Sequence, residues 1–471
     1  MYPIKIFFDL ILPNPLIPTL GNIEILNFKD MNLRKDALSI FNAAIKAVHP
    51  SELLKDILNR GSDHLLIDGV AYPFDSFENL YVIGAGKAGS AMAVSVEKNL
   101  EDLIKEGLVI TKHGHLLKTE HIAILEAGHP IPDEHGIEST NKTLELLKKV
   151  EQNDLVLCLI SGGASAIWCD LPETLNLHDY QTTIKKLLNS GADISEMNTV
   201  RKHLSTLKGG QLLKQTNGAK VISLIISDVP GDDPCIIASG PTQFDESTFS
   251  DALNILKKYD LLNEIPESIK THLENGKSGR IEETLKPNSP FLKDCRNIIL
   301  GTNHKALEAA KIKAQELGYN TQINERLVIG STEIEAVKLC RNLFEMKLHR
   351  PSCILQGGET TIKVTGNGKG GRNQHFILTA LEYLDSQQHS YPPFCLVSGG
   401  TDGTDGSTDA SGGIIDHRSL KKVGRSNMDL KLFKANFDSY HYLKEMDSLL
   451  LTGPTQTNVM DIMIGLVDNE F

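Results

Sequence analysis

From Asn32 the apolar residues Leu33, Ala37, Ile40, Phe41, Ala44 and Val48 recur at intervals of three and four, the spacing of one helix face. Asn32 is placed to cap that helix and Pro50 to stop it. Beyond Pro50 the pattern changes. Short apolar runs at 80–83, 108–111, 123–125, 155–160, 221–226, 298–300, 321–323, 353–355 and 394–397 read as strands. Longer stretches between them, such as 139–151, 177–189 and 305–317, read as helices. Strands alternating with helices predict an α/β fold built on parallel sheets. The segment 259–291 is polar, contains Pro266, Pro287 and Pro290, and has no strand pattern, so it marks the expected boundary between two α/β domains, 31–285 and 286–471. Residues 1–30 form an extension, apolar at first and then broken by Pro13, Pro15 and Pro18, with no expected role in the fold.

Composition narrows the partners. A chain of 471 residues is long enough for more than one domain, and 40% hydrophobic with 23% charged residues is ordinary for globular protein. The formal net charge of −12 argues against nucleic acid or an anionic membrane as partner. It leaves anionic metabolites open, because local Lys, Arg and backbone N–H groups hold those. No apolar run reaches the ~20 residues of a membrane helix. The seven cysteines include no C-x-x-C pair and read as free thiols of a reducing, cytoplasmic compartment. A homo-oligomer is compatible with the sequence and not specified by it.

The turns that follow the strands carry the candidate chemistry. They are Gly84-Ala-Gly-Lys87, Ser161-Gly-Gly163, Ser227-Asp-Val-Pro-Gly-Asp-Asp233, Gly301-Thr-Asn303, Gln356-Gly-Gly-Glu-Thr360 and Ser398-Gly-Gly-Thr-Asp402. In a parallel sheet all carboxyl ends share one edge, where ligands bind, and small turns let N–H groups approach an anion. Gly84, Gly86, Ser161, Gly162, Gly163, Gly301, Asn303, Gly358, Glu359 and Thr360 are therefore the expected phosphate-holding positions. The first strand and turn match the dinucleotide fingerprint G-x-G-x-x-G, which makes the first domain Rossmann-like. An NAD site needs an acidic residue after the next strand, but Lys112-His-Gly-His115 stands there. NAD is disfavoured and NADP remains. The P-loop pattern is absent.

Lys87 puts a positive charge inside the first turn. Asp228, Asp232 and Asp233 lie beyond one strand and Asp402, Asp405 and Asp409 beyond another. Carboxylates beside phosphate turns suit Mg²⁺, which takes few protein oxygens. Arg372 stands near the start of a helix, where a cation opposes the dipole, so a bound anion is expected to compensate both. His375 reads as a packing or capping group. Arg201, Ser205 and Lys208 recur three to four apart, as on one helix face.

Nine motifs occur in order: Gly84-Ala-Gly-Lys-Ala88, Glu126-Ala-Gly-His-Pro130, Ile160-Ser-Gly-Gly163, Val200-Arg-Lys-His-Leu-Ser205, Ser227-Asp-Val-Pro-Gly-Asp232, Ser239-Gly-Pro-Thr242, Gly370-Gly-Arg-Asn-Gln374, Gly400-Thr-Asp-Gly-Thr-Asp-Gly406 and Thr452-Gly-Pro-Thr455. Together they resemble the glycerate 2-kinase family, the type with a carboxy-terminal MOFRL domain, from about residue 31 to the end. The resemblance implies phosphorylation of D-glycerate at its 2-hydroxyl with ATP and Mg²⁺, in a cleft between two α/β domains. The family's catalytic lysine and arginine fall on Lys87 and Arg372, and Asp228 joins them. Arg201, Ser205, Asn373 and Thr401 are the expected substrate contacts; Asp228, Asp402 and Asp405 are the expected metal ligands. Ala164 departs from the glycine run usual in relatives. Asp228, Asp405 and His203 all stand as candidates for the general base. Some relatives are labelled hydroxypyruvate reductase, so an NAD(P)H-dependent reductase is the alternative, and a non-catalytic sugar-phosphate-binding protein is a third reading.

Overall fold

The computed structural model describes residues 28–345, 349–387, 389–425 and 427–468. The extension at 1–27 lies outside them. From 28 the chain is already helical, in a helix Phe28–Ala47. Asn32 is thus inside the helix rather than its cap, and Pro50 opens a further short turn, Pro50–Leu53, as its first residue. The apolar stripe behaves as expected: Leu33, Ala37, Ile40, Phe41, Ala44 and Val48 are all buried.

Strands β1 (Leu58–Arg60), β2 (His64–Ile67) and β3 (Val70–Pro73) make a small antiparallel sheet that the alternation pattern did not announce. The first large sheet comprises β4 (Leu80–Ala85), β5 (Ile104–Lys112), β6 (Ile122–Ala127), β7 (Leu155–Ile160), β8 (Lys220–Ile226) and β9 (Cys295–Gly301). Its order is β6-β5-β4-β7-β8-β9, parallel throughout. This is the doubly wound order, whose connections reverse direction between β4 and β7, the place where such sheets open a crevice at their carboxyl ends. β4 and β7 are buried at every position because helices cover both faces.

The second large sheet comprises β10 (Asn320–Ile323), β11 (Val328–Ser331), β12 (Ser352–Thr361), β13 (Phe394–Gly400), β14 (Gly412–Asp416), β15 (Leu449–Leu450) and β16 (Asp461–Val467). It departs from the expected parallel arrangement. β10 and β11 run parallel to β12, but β16 is inserted antiparallel between β12 and β13, and β14 is antiparallel to β13.

Two features bear on the expected division at 285/286. β9, beyond that point, completes the first sheet. The polar segment before it is not a linker: it holds the helix Glu267–Lys277, whose Ile269 and Leu273 are buried in a cluster with Tyr180, Met197, Phe249 and Leu256. Four helices, Leu177–Asn189, Ile194–Lys202, Phe249–Lys258 and Glu267–Lys277, thus form a small cored insert on either side of β8. The sequence looks polar there because each helix buries only one stripe. The helix Phe28–Ala47, for its part, packs on the second sheet, where Phe41 shares a cluster with Val397 and Ile462. That cluster also takes in Leu80, Leu157 and Leu224 of the first sheet. Each fully buried Leu, Ile or Phe contributes roughly 1.5–3 kcal/mol, so the two sheets are joined by a shared core as well as by chain. Among the described residues no helix is long and apolar enough to cross a membrane.

Candidate active site

A cavity of about 820 Å³ opens between the sheets and the helical insert, with Gly163, Arg201, Asp228, Glu359, Arg372 and Asp405 among its lining. It lies at the carboxyl ends of the first sheet's strands and the matching edge of the second.

The fingerprint turn after β4 does not offer its N–H groups to a ligand. Gly86 N–H donates to the Ile110 carbonyl at 3.1 Å, Lys87 N–H to the Gly162 carbonyl at 2.9 Å and Gly89 N–H to the Gly86 carbonyl at 2.9 Å. Ala88 N–H donates to Ser161 Oγ at 3.0 Å. The turn is therefore stitched to the neighbouring turn after β7. Gly86 has φ +134°, and a Cβ there would lie 2.2 Å from Ser161 Oγ, so glycine is needed for close approach. Gly84 likewise lies against Leu159, Gly301 against Leu53, and Gly358, with φ +147°, against the Val328 backbone. Gly84, Gly86, Ser161, Gly301 and Gly358, expected at a phosphate, are explained by packing between elements. Thr360 is buried against Thr332, and Asn303 donates to the carbonyls of Val459 and Asp461 at 2.8 and 3.0 Å.

What the stitched turns do is present side chains. Lys87 Nζ meets Asp402 Oδ2 at 2.8 Å, joining the first sheet's switch point to the turn after β13. Burial pulls the Lys87 ammonium down, but Asp402, Asp228 and Glu359 outweigh it and hold it above its ordinary value. Burial pushes Asp402 up, and Lys87 together with the Thr404 donors brings it below the ordinary range. Asp228 Oδ2 accepts from Asn458 Nδ2 at 2.9 Å, and burial raises its pKa. Gly162 lies against this pair: a Cβ would sit 2.0 Å from Asp228 Oδ2. Gly163 faces His129 and Lys87.

Across the cleft, Arg372 is gripped by carboxylates. Its Nε and Nη2 donate to the two oxygens of Asp461 at 2.6 and 2.9 Å, and Nη1 pairs with Glu359 Oε1 at 2.6 Å. Burial lowers the guanidinium's pKa, but Asp461 and Glu359 reverse this and lift it far above the ordinary value. Arg372 does begin the helix Arg372–Ser386. The anion expected to offset its clash with the dipole is supplied by the protein itself. Asp461 takes the guanidinium, and Asp405 accepts from the Asn373 and Gln374 N–H groups at 3.1 and 2.8 Å. Asp405 thus caps that helix with both oxygens accepting backbone N–H groups. Burial still pushes its carboxyl up to about 6.

The cluster has more negative than positive members. Asp228, Glu359, Asp402 and Asp461 are four carboxylates, and Lys87 and Arg372 two cations, and burial raises the pKa of Asp228 and Glu359 while their Coulomb interactions with Lys87 and Arg372 oppose it. Among the described residues, Asp402 and Asp461 have both oxygens engaged, whereas Glu359 and Asp228 each keep one that no other residue claims. Two part-buried carboxylates, each with an oxygen that no other residue claims, are the donor chemistry a divalent cation fits.

Other expected contacts lie elsewhere. Ser205 is buried and donates to Asp170, which also holds Lys208; both stand beyond the end of the helix Ile194–Lys202 and outside the cleft. His203 is enclosed between the Thr199 carbonyl and Glu283, so it cannot serve as a base in the cleft. Asn373 is buried with Oδ1 accepting from Ser398 at 2.5 Å. Thr401 is fully buried, donating to the Met460 carbonyl and accepting from Val459 N–H. His375 is a buried packing group, stacked on Phe437 and paired with Glu333. Arg201 does line the cavity, and among the described residues no carboxylate pairs with it.

The sequence reading missed Asp461, Asn458 and His129. Asp461 opens β16, and because that strand is antiparallel its first residue reaches the edge where β12 and β13 end, opposite Gly358 and Gly400. A search confined to the residues after strands could not find it. His129 was visible only as part of Glu126-Ala-Gly-His-Pro130. It lines the cavity, and burial with Lys87 and Lys112 pulls its pKa down to about 3, so the ring is neutral.

Residues 36–274 match a domain of unknown function, DUF4147, and residues 352–461 match the MOFRL family. A glycerate 2-kinase of Pyrococcus horikoshii is 38% identical, covering 93% of this chain and 98% of that protein. A putative hydroxypyruvate reductase of Agrobacterium vitis is 34% identical, over 94% of this chain and 96% of its own length. The crystal structure of a glycerate kinase from Thermotoga maritima superposes with a TM-score of 0.79 at 37% identity, covering 93% of this chain and all of that one.

Proposed function

The chain belongs to the glycerate 2-kinase family and is an ATP-dependent kinase of D-glycerate, and we propose that its reaction runs in the cleft between the two large sheets. The observation that carries this reading is the meeting of Lys87, from the first sheet's switch point, with the Asp402 turn of the second sheet, beside an arginine held by Asp461. Glu359 interacts with both Lys87 and Arg372, so the two cations belong to one electrostatic cluster.

A phosphoryl group passing from ATP to the glycerate 2-hydroxyl spreads charge over its oxygens, and positioned cations stabilise that charge. Lys87 stays protonated because of its carboxylates, and Asp461 orients Arg372 while leaving guanidinium N–H groups free for phosphate oxygens. Arg201, unpaired on the opposite wall, suits the glycerate carboxylate. Mg²⁺ would be held by Asp228 and Glu359, and when bound it neutralises phosphate charge. A loose transition state asks little of a base. Of the three groups considered for that role His203 is enclosed away from the cleft, Asp405 accepts two backbone N–H groups, and Asp228 has its one free oxygen given to Mg²⁺. Free thiols at all seven cysteines support a cytoplasmic setting.

The reductase reading has less support. The N–H groups that would cradle a dinucleotide pyrophosphate are spent on internal bonds, and Lys112 closes β5 where an acidic residue would hold a ribose. The deciding experiment incubates the purified chain with D-glycerate, ATP and Mg²⁺, and separately with hydroxypyruvate and NADPH. ADP and 2-phosphoglycerate in equal amounts are expected from the first mixture. Oxidation of NADPH without ADP release in the first would overturn the proposal.

A further inference from the structure

Away from the kinase chemistry, one group of side chains converges without serving the cleft. His113 follows β5, Asp133 caps the helix Glu134–Leu147, and His135 lies in that helix's first turn. His113 Nε2 approaches Asp133 Oδ2 at 2.9 Å and His135 Nδ1 approaches the same oxygen at 3.5 Å. The three ligand atoms all lie within 4.8 Å of one another, and the two rings stand edge to face. The other oxygen of Asp133 accepts from the Gly128 and Gly136 N–H groups at 2.9 and 3.0 Å, which fixes the carboxylate's direction.

We propose that His113, Asp133 and His135 form a binding site for a first-row divalent cation of the Zn²⁺ type. Two imidazole nitrogens and one carboxylate oxygen are the donor set such ions prefer, and Mg²⁺ or Ca²⁺ would want oxygens instead. Bonds of about 2.0–2.2 Å in a tetrahedron put ligand atoms about 3.4 Å apart. The 3.5 Å separation already matches that value, and the 2.9 Å one needs only a small opening as a shared proton gives way to the ion. The two backbone donors on the far oxygen are the outer support that ligating carboxylates carry. Three protein ligands at the surface leave a fourth position to water. Asp133 also anchors Gly128, next to the cleft residue His129, so an ion bound here would stiffen the turn 128–133.

The test is calorimetric titration of the metal-free full chain with ZnCl₂, in excess Mg²⁺ to occupy oxygen-rich sites. Wild type is expected to take up one Zn²⁺ per chain. His113→Ala and His135→Ala should each weaken that uptake on the order of tenfold or more. Both side chains are well exposed, so both variants should keep the wild-type melting temperature and kinase turnover in Mg²⁺. The exposed His121→Ala should bind as wild type does. No uptake by wild type, uptake unchanged in both ligand variants, or equal weakening by the His121 variant would each overturn the site.

Discussion

Lys87 and Arg372 are both part-buried cations, yet they are held differently. Lys87 has one close carboxylate partner on a flexible stem, whereas Arg372 is fixed by a two-point contact to a fully buried Asp461. Replacing either by alanine should lower kcat by several powers of ten, since each would act on charge that develops in the transition state. The double variant should cost far less than the product of the singles. Arg372→Ala should also melt lower, because it strands Asp461 as an unpaired buried charge. Near-normal turnover in a folded Lys87→Ala protein would remove Lys87 from the mechanism. His129 makes a prediction of the opposite sign. Its folded pKa, about 3, lies below the unfolded value, so between roughly pH 6.5 and 3 the unfolded chain takes up a proton that the folded chain refuses. This contribution to stability is complete above about pH 6.5 and is lost as pH falls. His129→Asn lacks the titration, so urea midpoints at pH 7, 6 and 5 should fall more steeply for wild type than for the variant. Parallel slopes would show that the ring is protonated in the folded protein.

At the scale of elements, the turns after β4 and β7 act as one stitched unit, and its glycines serve close approach more than phosphate contact. Gly162 tests this. Its φ is outside the left-handed region, so alanine adds no backbone strain, but its Cβ would collide with Asp228 and Asn458. Gly162→Ala should keep a melting temperature within a few degrees of wild type and lose about 10²-fold in kcat, the scale of a 1 Å misplacement. Unchanged turnover would mean that Asp228 has no catalytic role. The nine strands read from short apolar runs are all present; those in the interior of the sheets, such as β4, β7 and β13, are continuously apolar because both faces are covered. Strands β1–β3 and β14–β16 escaped for different reasons. The first three are only three or four residues long, and β1 and β3 are largely exposed, while β16, though apolar after Asp461, follows the loop after the two-residue β15 rather than a helix, so no βαβ pattern announces it.

For the whole molecule, the proposed active-site cavity exists only when both sheets and the helical insert are in place, since each contributes lining residues. Ligand binding should therefore stabilise the entire fold. A non-hydrolysable ATP analogue with Mg²⁺ at about 100 times its Kd should add roughly 2.7 kcal/mol and raise the melting temperature by several degrees. EDTA should abolish both that shift and turnover while leaving the ligand-free melt intact. Cooperative unfolding on chelation alone would instead reveal a metal that holds the fold. The sequence by itself determined the first sheet, whose apolar strands and small turns follow from burial on both faces and from the lack of room for side chains. It also determined the family, and it singled out Lys87 and Arg372, which stand in motifs that local spacing makes visible. Only the tertiary structure decided which polar residues face the cleft. Ser205, Thr401 and Asp405 were as plausible in sequence as Arg201 and Asp228, and packing turned the first three toward buried backbone or side-chain partners. Asp461 became the partner of Arg372 through the antiparallel insertion of β16, a pairing 89 residues apart. Strand direction and long-range pairing are set by contacts between segments, and no local pattern records them.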